Sequence, residues 1–411
     1  AGLGPADGMV GQRLSVGPEA ADLSAVQDLH ERTIDREGLT AELTVSFIVL
    51  QAVVYALALL ALSRRRRRRG RPLTGPGGPA ARLLAATERL ALTCAALPVV
   101  TFLYRLAPTS WQRPVVAGTL IALGSASVAA LALRFRRHPL SPLVFVAGLT
   151  VAVMAVDAAT SGLLQNVSLF GYTPLTAARY YGMGNLGFAV LGSSVIVLAG
   201  AWVASSPVRR DGWWAAACLF VGVTVLQVAP VMGADFGGAL VLVPTGLLAT
   251  AAWAGVRLTA RRVVLTALAT VALVRGVVAL DESFGDGSHV ARFARSGPSG
   301  MWEVVQRKLD SNLHVLTTSS WSWTLVIVGL FAAGAVAALG RRTTWFAGAP
   351  AWRTTLLTLV GFGVLGGLAN DSGIAIPAMV AVYVGALLLV LARRTPFSAP
   401  VVLEPAAVTP D

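Results

Sequence analysis

Phe170-Gly-Tyr-Thr-Pro-Leu-Thr-Ala-Ala-Arg-Tyr-Tyr-Gly-Met-Gly-Asn185 stands between two long apolar runs, residues 142–160 and 185–204. Each run has about 20 residues, enough for one helix to cross a bilayer. The stretch between them carries Arg179, three tyrosines (Tyr172, Tyr180, Tyr181), Pro174 and three glycines. It is too polar and too broken for a lipid-facing helix. Irregular backbone at membrane depth persists only where protein or a water-filled cavity satisfies its polar groups. The stretch therefore reads as a re-entrant or interfacial loop, held down by aromatic side chains and leading into a helix at Asn185. It forms one wall of a site.

Working outward, the same pattern fills the chain. Of 411 residues 55% are hydrophobic and only 13% charged, and the mean hydropathy is +0.70, which excludes an ordinary soluble domain. The expected fold is all-α, a polytopic transmembrane helix bundle of about eleven spans: 43–62, 86–104, 114–133, 142–160, 185–204, 213–230, 239–256, 263–280, 322–340, 354–369 and 373–392. The net charge of +13 comes from arginines in short loops between spans, such as Arg64–Arg69, Arg134, Arg136, Arg137, Arg209 and Arg210. They follow the odd-numbered spans, the distribution of positive-inside topology rather than of nucleic-acid binding. The N-terminus is expected outside and the C-terminus inside. Residues 1–42 read as an extracytoplasmic segment, the tail of a larger ectodomain, with a short amphipathic helix near 20–36. Residues 43–395 form the bundle, with outer loops 161–185 and 281–321, and 396–411 form a cytoplasmic tail. Cys94 and Cys218 both fall in apolar runs, with neither metal-ligand nor disulfide spacing.

Acidic residues show the opposite bias. Asp157, Asp235, Asp281, Glu282, Asp286, Glu303, Asp310 and Asp371 all fall toward the expected outer face. Asp235, in Gly233-Ala-Asp-Phe-Gly-Gly238, reads either as a helix cap or as a functional carboxylate. Asn370-Asp371-Ser-Gly373 allows the same two readings. Asp157 reads as a snorkelling group, as a partner of Arg179 or as functional. Residues 301–316 have apolar positions at helical spacing and read as an amphipathic helix lying along the interface. Its polar side offers Arg307, Lys308 (the one lysine in the chain) and Asn312. These are donors suited to a phosphate or carboxylate. Gly182-Met-Gly-Asn185 is no dinucleotide fingerprint, since no strand precedes it.

Taken together, segments 170–185, 234–238, 307–313 and 370–374 resemble the membrane part of a group of actinobacterial envelope proteins. Those proteins often carry an alkaline-phosphatase-like extracytoplasmic domain before the bundle. The resemblance implies an envelope setting and such a domain as a partner. Two readings of the site follow. In the first, an envelope enzyme binds a membrane lipid or lipid-linked phosphate or glycan through Arg179, Tyr180, Asn185, Arg307, Lys308, Asn312 and Asn370, with Asp235 and Asp371 as catalytic base or metal ligands. The identity of any cofactor is left open, a divalent metal included. In the second, a transporter or flippase moves an anionic envelope precursor past the broken segments 161–185 and 361–373. A membrane scaffold that only holds an ectodomain is the plainest alternative.

Overall fold

The computed structural model describes residues 23–67, 78–108, 111, 113–136, 138, 140–160, 162–173, 182–229, 232–284, 297–339 and 350–394. Among these residues no strand forms, and one isolated bridge joins Asn166 to Tyr172. Twelve helices account for nearly all the rest: α1 Leu23–Arg67, α2 Pro79–Tyr104, α3 Pro114–Arg134, α4 Ser141–Thr160, α5 Asn185–Ser205, α6 Arg209–Val228, α7 Phe236–Trp253, α8 Ala260–Phe284, α9 Gly297–Thr318, α10 Ser322–Leu339, α11 Pro350–Ala369 and α12 Ala375–Arg394. Proline opens α2, α3 and α11, where its missing N–H costs nothing.

Each of the eleven expected apolar runs is helical over most of its described residues, and the expected amphipathic helix at 301–316 is α9. Among the described residues seven helices are long and apolar enough to cross a membrane, α1 to α6 and α11. The α9–α10 pair, bent by 71° at its break, makes an eighth if it is one span, and α7 and α12 have shorter apolar cores. The chain thus has the build of a multi-pass membrane protein. One boundary differs from expectation. Residues 23–36 of the expected 20–36 helix and residues 43–62 do not form separate elements, because α1 runs unbroken for 45 residues. Nothing between them terminates a helix: Gly38 sits in open space, and an Asp28–Arg32 pair one turn apart supports the polar half.

The most enclosed of the seven spans is α5, which packs against α4, α6, α7, α11 and α12. Lipid tails are as apolar as leucine, so burial alone does not draw helices together, and close approach has to. Small residues on α5 permit it. A Cβ on Gly192 would overlap the Phe362 ring of α11, and one on Gly200 would overlap Thr355. Polar contacts add direction: Ser194 Oγ on α5 lies 3.1 Å from Tyr383 Oη on α12, and Tyr55 Oη on α1 donates to the Ala381 carbonyl at 2.7 Å.

The two ends of the bundle differ. At one end Arg136 pairs with the buried Glu88 at 2.8 Å, Trp253 Nε1 donates to the Ala351 carbonyl, and arginines such as Arg134 and Arg210 flank the helix ends. The other end gathers the C-termini of α2, α4, α6 and α11 with the N-termini of α3, α5, α7 and α12. The polar segments meet here.

Candidate functional site

The turn 162–173 is built around buried Asp157 at the end of α4. The Leu164 amide donates to Asp157 Oδ1 at 2.7 Å and Gln165 Nε2 donates to Oδ2 at 3.3 Å. Gln165 Oε1 in turn accepts from the Gly184 amide at 3.2 Å. One carboxylate and one amide thereby fix the turn between α4 and the start of α5, and satisfy donors that water cannot reach. Phe170 anchors the other side. Its ring lies 5.4 Å from that of Phe47 on α1 and 6.2 Å from Trp321 between α9 and α10. The expected aromatic hold is thus present. Residues 174–181, with Arg179 and Tyr180, lie outside the described residues, as does the side chain of Arg307.

Where the chain resumes it meets the 233–238 segment. The Met183 amide donates to the Gly233 carbonyl at 2.7 Å, and Gly182, at φ 83°, lies so close that a Cβ would overlap that carbonyl. Ala234 takes a left-handed φ of 48° without being glycine. Such strain costs on the order of 1–3 kcal/mol and needs support from its surroundings.

Asp235 is 2% exposed and caps α7. Its Oδ1 accepts from the Gly238 amide at 3.1 Å and its Oδ2 from Gln227 Nε2 at 2.9 Å. Asn370 comes from the opposite side. Its Oδ1 and Asp235 Oδ1 both lie within 4 Å of where a Cβ on Gly237 would stand. Asn185 Nδ2 donates to Ser372 Oγ at 2.8 Å. The fold therefore brings Asn185, Asp235 and Asn370 together from three distant segments.

The fourth contribution comes from α9, which lies across the C-terminus of α11. Lys308 Nζ donates to the Ala369 carbonyl at 2.7 Å and pairs with Asp371 Oδ1 at 3.0 Å. Asn312 Nδ2 donates to the Gly367 carbonyl at 3.2 Å, and Ser311 Oγ to the Asp371 carbonyl at 3.3 Å. Helix-end carbonyls have no partner within their own helix, and a cation there also suits the helix dipole. Lys308 thus has a structural task besides any other. Asp371 has less of one: its side chain is 66% exposed, against 32% for Lys308. The side-chain oxygen of Asn312 is buried with no hydrogen-bond partner among the described residues.

No family model, no curated protein and no solved structure matches this chain. Among the described residues no three of His, Cys, Asp and Glu gather closely enough to hold a metal ion, so the described carboxylates supply no ready donor set for a divalent metal. Gln227 and Ser311 escaped the sequence reading, and Gln165 and Ser372 entered it only as neighbours of Asp157 and Asp371. The glutamines had a signal, since an amide beside an apolar run must find partners. The serines had none, because their contacts cross between distant helices.

Proposed function

We propose that the chain is a multi-pass protein of the cell envelope whose convergent end faces outward and binds a lipid-linked phosphate or glycan. The observation that carries this reading is the Lys308–Asp371 pair, set among Asn185, Ser372 and Asn312. An exposed ion pair contributes at most about 1 kcal/mol. A phosphate, with more charge and more acceptor oxygens than a carboxylate, can displace Asp371 from the lysine. Asn185 and Ser372 then offer neutral donors beside it. Asp235 serves as the cap of α7, and Asp371 is the carboxylate placed to act as a base on a bound substrate. The resemblance to envelope proteins supports the setting and supplies an extracytoplasmic phosphatase-like domain as the partner. The 71° bend between α9 and α10 favours a second reading, in which the broken element lines a route for the same anionic lipid.

The test is binding of a long-chain isoprenoid phosphate and of its parent alcohol to the protein in nanodiscs. The phosphate binds more tightly, Lys308→Gln weakens it about tenfold, and Asp371→Asn strengthens it because the competing carboxylate is gone. A purely structural ion pair would give no gain in Asp371→Asn. Equal binding of alcohol and phosphate overturns the proposal. Movement of labelled lipid across proteoliposomes would favour the transporter.

A further inference from the structure

A cleft of about 40 Å³ opens at the same end of the bundle on the α1 side of the 162–173 turn. Leu39 and Leu43 of α1, Ile121 of α3 and Leu169 of the turn give it apolar walls, and Arg36 and Arg105 give it charge. Each arginine spends its Nε on a carbonyl of the turn. Arg36 donates to Ser168 at 3.2 Å and Arg105 to Asn166 at 3.0 Å. Both guanidinium planes are therefore held in place with their terminal nitrogens left over. Arg36 shares one with its exposed neighbour Glu37 at 2.6 Å. The terminal nitrogens of Arg105 have no hydrogen-bond partner among the described residues.

Three arginines, Arg32, Arg36 and Arg105, and three acids, Asp28, Asp35 and Glu37, stand around the cleft. Arg32 lies close by, paired with Asp28 at 2.7 Å. Burial, and after it the charge of Arg32, hold the Arg105 pKa below the usual arginine value, with Asp28 opposing them in part. A guanidinium stays charged through such a shift, and among the described residues none of these acids hydrogen-bonds the terminal nitrogens of Arg105, so an anion there would find donors to spare. Val167, which helps line the cleft, has a φ of 59°. A β-branched residue is a true outlier there, and the turn is held in that shape by the two arginines and by the Val167–Tyr172 hydrogen bond of 2.8 Å.

We propose that this cleft binds the headgroup of an anionic phospholipid, with the phosphate between Arg36 and Arg105 and an acyl chain along Leu39, Leu43 and Ile121. Arginine forks match phosphate geometry, and apolar walls directly beneath charged groups match a lipid better than a free ion. The cleft sits where α2 ends and α3 begins, the level at which headgroups meet a spanning bundle. It shares no residue with the Lys308–Asp371 site and concerns a bulk lipid rather than a substrate.

The experiment is native mass spectrometry of the full chain released from micelles doped with equal amounts of phosphatidylglycerol and phosphatidylcholine. The protein retains phosphatidylglycerol preferentially, and Arg105→Gln reduces that preference about fivefold. Arg105 also supports the turn, so Ala117→Leu provides a second variant. It leaves both arginines in place and fills the apolar part of the cleft, whose wall includes Ala117, and it too lowers retention. Lys308→Gln leaves retention unchanged, which separates this site from the proposed substrate site. Equal retention of the two lipids overturns the proposal. So does retention that survives both Arg105→Gln and Ala117→Leu, or displacement of the lipid by millimolar inorganic phosphate, which would mark a site for the free ion.

Discussion

Asp235 shows how a carboxylate deep in an apolar protein can be held by ordinary hydrogen bonds. It accepts from the Gly238 amide and from Gln227, and the side-chain oxygen of Gln227 is buried without a partner among the described residues. That spare oxygen makes a prediction. In Asp235→Asn the Asn oxygen keeps the cap, and a flip of the Gln227 amide lets its oxygen accept from the new NH2. Stability in detergent should change by less than about 1 kcal/mol, whereas Asp235→Ala, which strands the Gly238 and Gln227 donors, should cost about 1–3 kcal/mol. Thermal unfolding of both variants checks this, and equal loss in the two would show that the carboxylate charge itself is needed. If Asp235→Asn is stable yet fails to complement in cells, the carboxylate has a chemical role beyond the cap. The cap itself was legible, since Asp immediately before a Gly-rich helix start is a cap signal. The role of Gln227 was not, because its partner lies on the next helix.

Among elements, α5 and α11 carry the clearest lesson about glycine. The segment 361–373, expected to be broken, lies up to Ala369 within α11, and α11 is unbroken. Gly366 and Gly367 face Ile376 and Pro377 of α12, while Gly361 meets nothing. The glycines that admit α11 lie on α5 instead, where Gly192 receives Phe362. Hydropathy alone could not assign these partners, since both helices are apolar on every side. Gly192→Val should therefore cost about 1–3 kcal/mol through overpacking, and Phe362→Leu added to it should recover part of the loss through direct coupling. Gly361→Ala should leave the melting temperature unchanged or raise it, because helix propensity improves by up to about 1 kcal/mol with nothing to clash. Equal sensitivity at positions 192 and 361 would contradict this packing. The unbroken α1 was illegible for a related reason: its polar half looked like a tail, and the contacts of Arg32 and Arg36 with distant loops, with the burial of Leu39, show it to be part of the bundle.

At the scale of the whole molecule the two ends carry different chemistry, and that asymmetry was the most legible feature of the sequence. It follows from where arginine and the polar segments sit along the chain, which needs no knowledge of packing. Arg210 flanks the start of α6 at one end, and Asp371 follows α11 at the other. If positive-inside topology holds, the Asp371 end faces outward. Both positions are exposed, so a cysteine at either can be reached from water on its own side. In a Cys94→Ser/Cys218→Ser background, Asp371→Cys should react with a membrane-impermeant maleimide in intact cells, and Arg210→Cys only after the cells are opened. The reverse pattern would invert the bundle and place the Lys308–Asp371 pair on the cytoplasmic side, away from any extracytoplasmic substrate. Labelling of both in intact cells would mean that the two ends are not separated by a bilayer, and the spanning arrangement itself would fail.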